Sequence, residues 1–262
     1  MMKIVVCMSS FRKHGNTADV VSLIVERLGE LAAQQDELLD VEILTLGQKE
    51  IGVCQGCRVC FDRGEADCPL GDDMLGIKAA MDAADGLIVA SPVYVDDVNG
   101  IMKNWIDRLA YLCHRPQYSG KSACLLATVG VGPAGHALST LDRALRSWGY
   151  AIGCKVGFKT GARMGRDEIA DCHGQRIERA AQRFFRSLDP NRRSSPSLLS
   201  LMIFRIKQRY WWANADDSLD YRFWKEQGWL EPDRAYYAPE TASPIKVLAA
   251  RTAGALLTPF VT

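Results

Sequence analysis

The stretch KIVVCMSSFRKHGNTADVVSLIVERLGEL, from Lys3 to Leu31, holds the pattern that decides the fold. A short apolar run ends at Met8, and the polar loop SSFRKHGNT follows it. Apolar residues then recur at helical spacing, at Val20, Val21, Ile24, Val25, Leu28 and Leu31. The stretch therefore predicts a buried strand, a polar loop and a helix with one apolar face.

The same alternation of strand and helix continues to about residue 188. The runs VEILTL, GLIVA, SACLLATV and YAIGCKVGF predict four more strands, and four more helical patterns lie between and after them. We expect Asp72 to be the N-cap of the second helix. The strand runs are continuously apolar, which is typical of strands covered on both faces. The sequence therefore predicts an α/β fold with a five-stranded parallel sheet between two layers of helices.

Composition excludes several classes of protein. The chain has 262 residues, 48% hydrophobic and 24% charged, with a net charge of +1, so nothing indicates nucleic-acid binding. The apolar run in the N-terminal segment MMKIVVCMSS is too short for the h-region of a signal peptide, so we expect none. The apolar stretch from Ile245 to Val261 contains Lys246, Arg251 and Pro259 and falls short of the ~20 apolar residues that span a bilayer. We expect a cytoplasmic protein with reduced thiols.

Three predicted loops follow strand ends, where ligands bind in open α/β sheets. The first, Ser9–Thr17, offers hydroxyls, backbone N–H groups and the positive end of a helix, which are the parts of a phosphate cradle. It lacks the glycine pattern of dinucleotide fingerprints and P-loops. The structural alternative is that Asn16 or Thr17 simply caps the helix.

The other two loops complete one predicted pocket. In the second, Pro92 stiffens the strand exit, and Val93 and Tyr94 can present backbone and an aromatic face to a flat ring. The third, Ala127–Gly135, is rich in glycine, so its backbone can approach a ligand closely. His14 in the first loop and His136 after the third are weaker candidates for contacting a ligand.

The segment CQGCRVCFDRGEADCP, from Cys54 to Pro69, holds four of the nine cysteines. The spacing C-x2-C-x2-C-x7-C is similar to the cysteine run of bacterial ferredoxins, although the last gap is longer. Zinc is an alternative, but structural zinc sites usually pair two CxxC knuckles across a longer spacer. A third possibility is four unligated thiols. Cys7, Cys124 and Cys154 lie in predicted strands and are expected in the core.

These motifs together resemble a known family. The order S-S-x-R-K-x-G-N-T, then the cysteine run ending in D-D-M, then S-P-V-Y-x5-G-x-M-K-x-W-I-D-R is similar to the flavodoxin-like NADPH-dependent FMN reductase superfamily, and most similar to its iron–sulfur flavoproteins. The resemblance covers roughly residues 3 to 188. It implies a doubly wound sheet of order 2-1-3-4-5, bound FMN, and a [4Fe–4S] cluster.

The resemblance also implies site residues. The FMN phosphate would lie on the first loop, and the flavin ring between the second and third loops. The candidate cofactor-binding residues are Ser9, Ser10, Lys13, Gly15, Asn16, Thr17, Pro92, Val93, Tyr94, Thr128, Gly130, Val131 and Gly132. The candidate cluster ligands are Cys54, Cys57, Cys60 and Cys68. Lys103 and Arg108 lie on the following helix, and we expect Arg108 on a solvated face.

Residues 189–262 form a predicted helical extension beyond the 1–188 domain, joined by the polar segment Asp189–Ser197. Its segment Tyr210–Leu230 contains Trp211, Trp212, Trp224 and Trp229. Such clustering favours an interface with a partner or with the flavin pocket. A helical hairpin that buries these aromatic residues on its own domain is the alternative. The resemblance also implies a homodimer or homotetramer.

The sequence supports three functional hypotheses. The first is an FMN-dependent oxidoreductase that takes electrons from NAD(P)H or a reduced carrier such as ferredoxin, and reduces a small acceptor such as a quinone or flavin. This chemistry needs no acid or base from the protein, so we assign no catalytic side chain. The second is a non-enzymatic electron carrier or thiol redox sensor. The third is a phosphate-binding module without redox function.

Overall fold

The computed structural model describes residues 1–12, 14–162, 164–189, 191, 196–238 and 242–257. The strands of this described part are β1 (Met2–Met8), β2 (Leu39–Thr45), β3 (Gly86–Tyr94), β4 (Asp97–Val98), β5 (Ser122–Val129) and β6 (Ala151–Lys159). Its helices are α1 (Asn16–Ala33), α2 (Val59–Asp62), α3 (Met74–Ala83), α4 (Gly100–Arg108), α5 (Gly135–Ser147), α6 (Arg166–Ser187), α7 (Leu198–Ala213), α8 (Leu219–Glu226) and α9 (Pro244–Leu257).

Five strands form a parallel sheet in the order β2-β1-β3-β5-β6. With the two-residue β4 set aside, this is the predicted order 2-1-3-4-5, so the predicted fold is confirmed. The strand β4 pairs antiparallel with the end of β3 and lies off the main path. The order turns back between β1 and β3, which places the first and second loops beside each other at the carboxyl edge.

Each face of the sheet carries its own apolar core, because successive side chains of a strand point to opposite faces. On one face, Val5 and Leu87 pack with α3, α4 and α5. On the other face, Ile4 and Ile88 pack with α1 and α6. Cys7, Cys124 and Cys154 are buried as expected, and burial raises the pKa of the Cys7 thiol well above its ordinary value.

The C-terminal helices have an aromatic core of their own. Trp211, Trp224 and Trp229 are at most 7% exposed and pack with Phe204 and Tyr237. The expectation that these tryptophans form a partner surface is therefore wrong for all three, because they bury one another within the extension. Trp212 alone of the four stays partly exposed, at 36%.

Two further features of the chain bear on the sequence predictions. Most of the predicted linker, Asp189–Ser197, lies outside the described residues. Among the helices of the described part, none is both long and apolar enough to pass through a bilayer.

The packing beneath the sheet predicts a large effect of substituting Trp148, which is 1% exposed and meets Trp105 edge-on at a ring-centroid distance of 5.2 Å. We expect Trp148→Ala to lower the free energy of unfolding by about 3–5 kcal/mol, because the cavity cannot collapse against the sheet. Urea denaturation measures this. Leu38→Ala, at a side chain 73% exposed, is the control and should change it by less than about 0.5 kcal/mol. Equal effects of both substitutions would contradict the packing.

Candidate functional site

Ser9 is the first site residue after β1, and it is fully buried. Its N–H donates to the Ala90 carbonyl at 3.0 Å, and its hydroxyl lies 3.2 Å from the Ser91 hydroxyl. The Asn99 side-chain amide donates to the Ser9 carbonyl at 2.8 Å. Ser9 therefore fixes the start of the first loop against β3 and against the start of α4. Its hydroxyl is already engaged with protein atoms.

The N-terminus of α1 carries no side-chain cap from the residues that the structure describes. Gly15 occupies the N-cap position. The Asn16 amide instead donates to the Thr160 and Gly161 carbonyls at 3.0 Å each, and the Thr17 hydroxyl lies 2.6 Å from the Thr128 hydroxyl. The alternative that Asn16 or Thr17 caps the helix is therefore wrong. The first-turn N–H groups and the helix dipole can face an anion.

The rest of the first loop rests on Gly47, a residue that the sequence analysis missed. Ser10 accepts a hydrogen bond from the Arg12 N–H at 3.1 Å, while Lys13 lies outside the described residues. A Cβ at position 47 would stand 2.7 Å from the Ser10 carbonyl oxygen and 2.8 Å from Phe11 Cα. The turn after β2 therefore needs glycine, because the loop backbone lies directly against it. Its position just after a strand was the available signal.

The second loop is a tight hairpin between β3 and β4. Val95 and Asp96 have φ angles of 48° and 65°, the left-handed conformation of a two-residue hairpin turn. A β-branched residue there is strained, and such strain is concentrated at functional sites. Tyr94 is 54% exposed at the end of β3. Its ring is therefore accessible from solvent, and its contact with a flavin stays a prediction.

The third loop lies next to the second because Pro92 pairs with Thr128 in the sheet register. Val131 is 94% exposed, and Gly132 has a φ of 95°. The His136 Nε2 atom lies 3.4 Å from an Asp97 carboxylate oxygen of β4. The three loops thus converge at one edge of the sheet. Of the remaining candidates, Val93 lies within β3, where it pairs with Val98 of β4, and Gly130 directly follows β5.

The four cysteines of the segment after β2 line a single cavity of about 160 Å³. Cys54 and Cys57 are exposed, whereas Cys60 and Cys68 are half-buried. Burial raises the pKa of the Cys60 thiol, and the nearby thiols of Cys54, Cys68 and Cys57 raise it further. All four cysteines therefore border one cavity, and their role as ligands stays a prediction.

The arrangement of these thiols bears on which group they fit. In the part of the chain that the structure describes, no three His, Cys, Asp or Glu side chains converge on a position for a single metal ion. A [4Fe–4S] cubane differs from a zinc ion because each cysteine binds a different iron, so the ligands surround a volume. Four thiols around one cavity match that donor set.

Arg108, at the end of α4, is one of the residues that line this cavity. Its side chain is 4% exposed and forms a bidentate pair with Asp72, in which Nη2 lies 3.1 Å from Oδ1. It also donates to the Gly52 carbonyl at 2.9 Å and to the Cys68 sulfur at 3.6 Å. The expectation of a solvated Arg108 is wrong, because the arginine has a buried carboxylate partner. Lys103 is the exposed cation of this helix and pairs with Asp107 at 2.6 Å.

Asp72 and Asn104 extend the same support. Helix α3 has Asp73 at its N-cap position, one residue later than predicted, although Asp72 accepts from the Met74 N–H at 3.1 Å. The Asn104 side chain accepts from the Cys54 N–H at 3.1 Å and donates to the Gly52 carbonyl at 3.1 Å. Helix α4 therefore contacts the cysteine segment near both ends of that segment, at Cys54 and at Cys68.

Comparisons with known proteins identify the family of the chain. A family model described as NADPH-dependent FMN reductase matches residues 2–159. That range contains all three loops and the cysteine segment. The chain therefore belongs to the NADPH-dependent FMN reductase family and is a flavin oxidoreductase that uses FMN.

The chain is also similar to individual flavoproteins and to solved structures. An iron–sulfur flavoprotein of Archaeoglobus fulgidus is 29% identical over 235 residues, which cover 87% of this chain and 100% of that protein. An iron–sulfur flavoprotein of Methanocaldococcus jannaschii is 36% identical over 107 residues, 41% of this chain and 51% of the relative. The crystal structure of an NADH:FMN oxidoreductase in its apo form matches with a TM-score of 0.52 at 22% identity, over 72% of this chain and 91% of that one, and so supports the fold.

The buried Asp72–Arg108 pair predicts a pH-dependent stability. Burial by itself raises the pKa of Asp72, but hydrogen bonds from Arg108, Gly52 and Met74 outweigh it and hold the pKa below its ordinary value of 3.8. A depressed carboxyl pKa stabilises the fold above the unfolded value, and this contribution is lost as pH falls through the folded value. Asp72→Asn should lower the free energy of unfolding by about 3–5 kcal/mol at neutral pH, because it leaves Arg108 unpaired.

Urea denaturation between about pH 7 and about pH 2 measures this difference, which should shrink toward the acid end. Asp107→Asn, on α4 next to Arg108, is the control, since the exposed pair of Asp107 with Lys103 contributes about 0–1 kcal/mol. A loss at Asp72 that is small, or equally large at all pH values, would contradict the assigned pair.

Proposed function

We propose that this chain is an FMN-dependent oxidoreductase with a [4Fe–4S] cluster held by Cys54, Cys57, Cys60 and Cys68. Electrons would come from NAD(P)H or a reduced ferredoxin-type carrier and go to a small acceptor such as a quinone or flavin. The observation that carries the proposal is that helix α4 starts at the flavin loops, where Asn99 holds Ser9, and ends under the cysteine cavity, where Arg108 reaches Cys68.

The residues of the flavin edge fit FMN. The uncapped start of α1 and the backbone around Gly15 supply N–H groups for a phosphate. Tyr94 and Val131 supply exposed apolar surface on two sides of the sheet edge for an isoalloxazine ring. Thr17 and Thr128 join the first and third loops through their hydroxyls and so fix the distance between them. No residue in this set has to donate or accept a proton.

The cysteine cavity fits an iron–sulfur cluster by its donors. When bound, FMN exchanges either a hydride or single electrons, and a cluster exchanges single electrons. The protein contributes four thiols, and the Arg108 guanidinium lies against the sulfur of Cys68. The relatives from Archaeoglobus fulgidus and Methanocaldococcus jannaschii carry the name iron–sulfur flavoprotein, which supports the assignment.

A second candidate function is a thiol redox sensor or electron carrier without turnover. The exposure of Cys54 and Cys57 favours it, because accessible paired thiols can form a disulfide.

We also propose a homodimer or homotetramer, because Tyr94, Val95 and Val131 leave apolar surface exposed beside the flavin edge.

Metal and flavin analysis tests the proposal directly. Protein purified without oxygen should contain about four irons and about four sulfides per chain beside FMN. Cys60→Ser should lose iron but keep FMN, and Cys172→Ser, an exposed cysteine on α6, is the control that should keep both. Steady NAD(P)H oxidation distinguishes the enzyme from the carrier. FMN without iron in the wild type would remove the cluster from the proposal.

The contact beneath the first loop predicts an effect of Gly47 on flavin binding. Gly47→Ala should displace the backbone of Ser10 and Phe11, because the new methyl would stand within 3 Å of both. We expect FMN affinity to fall by about tenfold or more, and the melting temperature to fall as well, because the methyl meets backbone atoms rather than the end of a flexible side chain. Fluorescence titration of the FMN-free chain measures it. Gly76→Ala is the control, since its added methyl meets nothing within 4 Å. Unchanged affinity would place the phosphate elsewhere.

A further inference from the structure

The C-terminal helices reach the cysteine segment through one buried arginine. Arg115 donates from Nη1 to an Asp220 carboxylate oxygen at 2.9 Å and from Nη2 to the Cys60 carbonyl at 2.7 Å. Its Nη2 also lies 3.5 Å from a Glu65 carboxylate oxygen. The Arg115 and Asp220 side chains are only 8% and 9% exposed. A single guanidinium thus joins α8 to the backbone of a proposed cluster ligand.

A second set of contacts holds α8 in the same place. The other Asp220 oxygen lies 2.6 Å from His114 Nδ1, and the Trp224 indole N–H donates to the His114 carbonyl at 2.8 Å. The His114 ring meets Phe61, the neighbour of Cys60, edge-on at 5.0 Å. Asp220 therefore pairs with both Arg115 and His114. Arg115 reaches the Cys60 carbonyl, and the His114 ring meets Phe61.

The geometry explains why these particular residue types are needed. A guanidinium is planar and presents several donors in a fixed fork, so it can bind a carboxylate and a carbonyl at once. A lysine ammonium in the same place is a point charge on a flexible chain and cannot hold both in one orientation. Asp220 is the nearer of the two carboxylates beside Arg115, at 2.9 Å against 3.5 Å for Glu65, so its loss would leave the buried arginine poorly paired.

We propose that Arg115 and Asp220 are positioning residues for Cys60, so that helix α8 of the C-terminal extension completes the cysteine site. The proposal rests on the proposed function in taking Cys60 as a cluster ligand. It assigns the extension a role in the redox site although the extension contributes no ligand. The interaction acts through the Cys60 backbone, which fixes the short helix α2 and the direction of the thiol.

Arg115→Lys is the sharpest test, since it keeps a cation opposite Asp220 and removes the fork that reaches Cys60. Asp220→Asn is the second variant. Asp217→Asn is the matched control, because the Asp217 side chain is 92% exposed and meets only Arg222, at 3.6 Å, in the described salt bridges. Three properties of the full-length protein are measured: the rate of iron loss to a chelator, the EPR signal of the reduced cluster, and the alkylation rate of each thiol in iron-free protein, mapped by mass spectrometry.

The proposal expects Arg115→Lys to lose iron about tenfold faster than the wild type, the factor for one lost charge-assisted hydrogen bond. Its EPR signal should change shape, and its Cys60 should be alkylated about tenfold faster while Cys172 is unaffected. Asp217→Asn should match the wild type in all three. A folded Arg115→Lys that matches the wild type in iron loss, EPR and Cys60 alkylation overturns the proposal, whether or not Asp220→Asn folds.

The alkylation measurement separates this proposal from the proposed function. A wild-type chain that binds no iron would remove the cluster, but the thiol comparison needs no metal. In that case, faster alkylation of Cys60 alone in Arg115→Lys supports the positioning role, and an unchanged rate overturns it.

Discussion

The buried pair between Arg108 and Asp72 is the interaction on which the arrangement of the site depends. It joins the last residue of α4 to the chain just before α3, and the same guanidinium reaches Gly52 and Cys68. A buried ion pair adds little net stability, because desolvation offsets most of the attraction. We expect its effect to be specificity, because each buried charge needs its partner and the pair therefore favours one position of the cysteine segment against α4. Removing either partner leaves a buried charge, so the segment and the helix are fixed together.

The sheet was predictable from sequence because its information is local. Continuous apolar runs such as GLIVA indicate strands covered on both faces, and the carboxyl ends of parallel strands meet at one edge. The convergence of the three loops follows from that rule and needs no knowledge of side-chain contacts. The grouping of the cysteines was predictable for the same reason. Three thiols at triplet spacing in a short segment lie close together, and they line a common cavity.

The missed features all depend on partners that are distant in sequence. Arg108 looks like a solvated helix residue until Asp72, 36 positions earlier, is known to face it. Asp220 lies 105 positions from Arg115, and nothing in either local sequence indicates the pair. The tryptophans of the extension suggested an interface because aromatic clustering alone does not distinguish a partner from a separate small core. The position of Gly47 just after a strand indicated a turn, but the need for glycine follows from the backbone of Ser10 and Phe11, which lies directly against it.

Helix α4 gives the proposed function its geometric basis. Nine residues span about 13 Å, so the flavin edge and the cysteine cavity are separated by one short rigid element. Asn99 secures its first turn to the flavin loops, and Asn104 and Arg108 secure its later turns to the cysteine segment. Two electron-exchanging groups need a constant separation, and a helix anchored at both ends provides it better than a loop would. The hydrogen bonds from α4 reach the cysteine segment at Cys54 and Cys68, and Arg115, which pairs with Asp220 of α8, reaches it at Cys60.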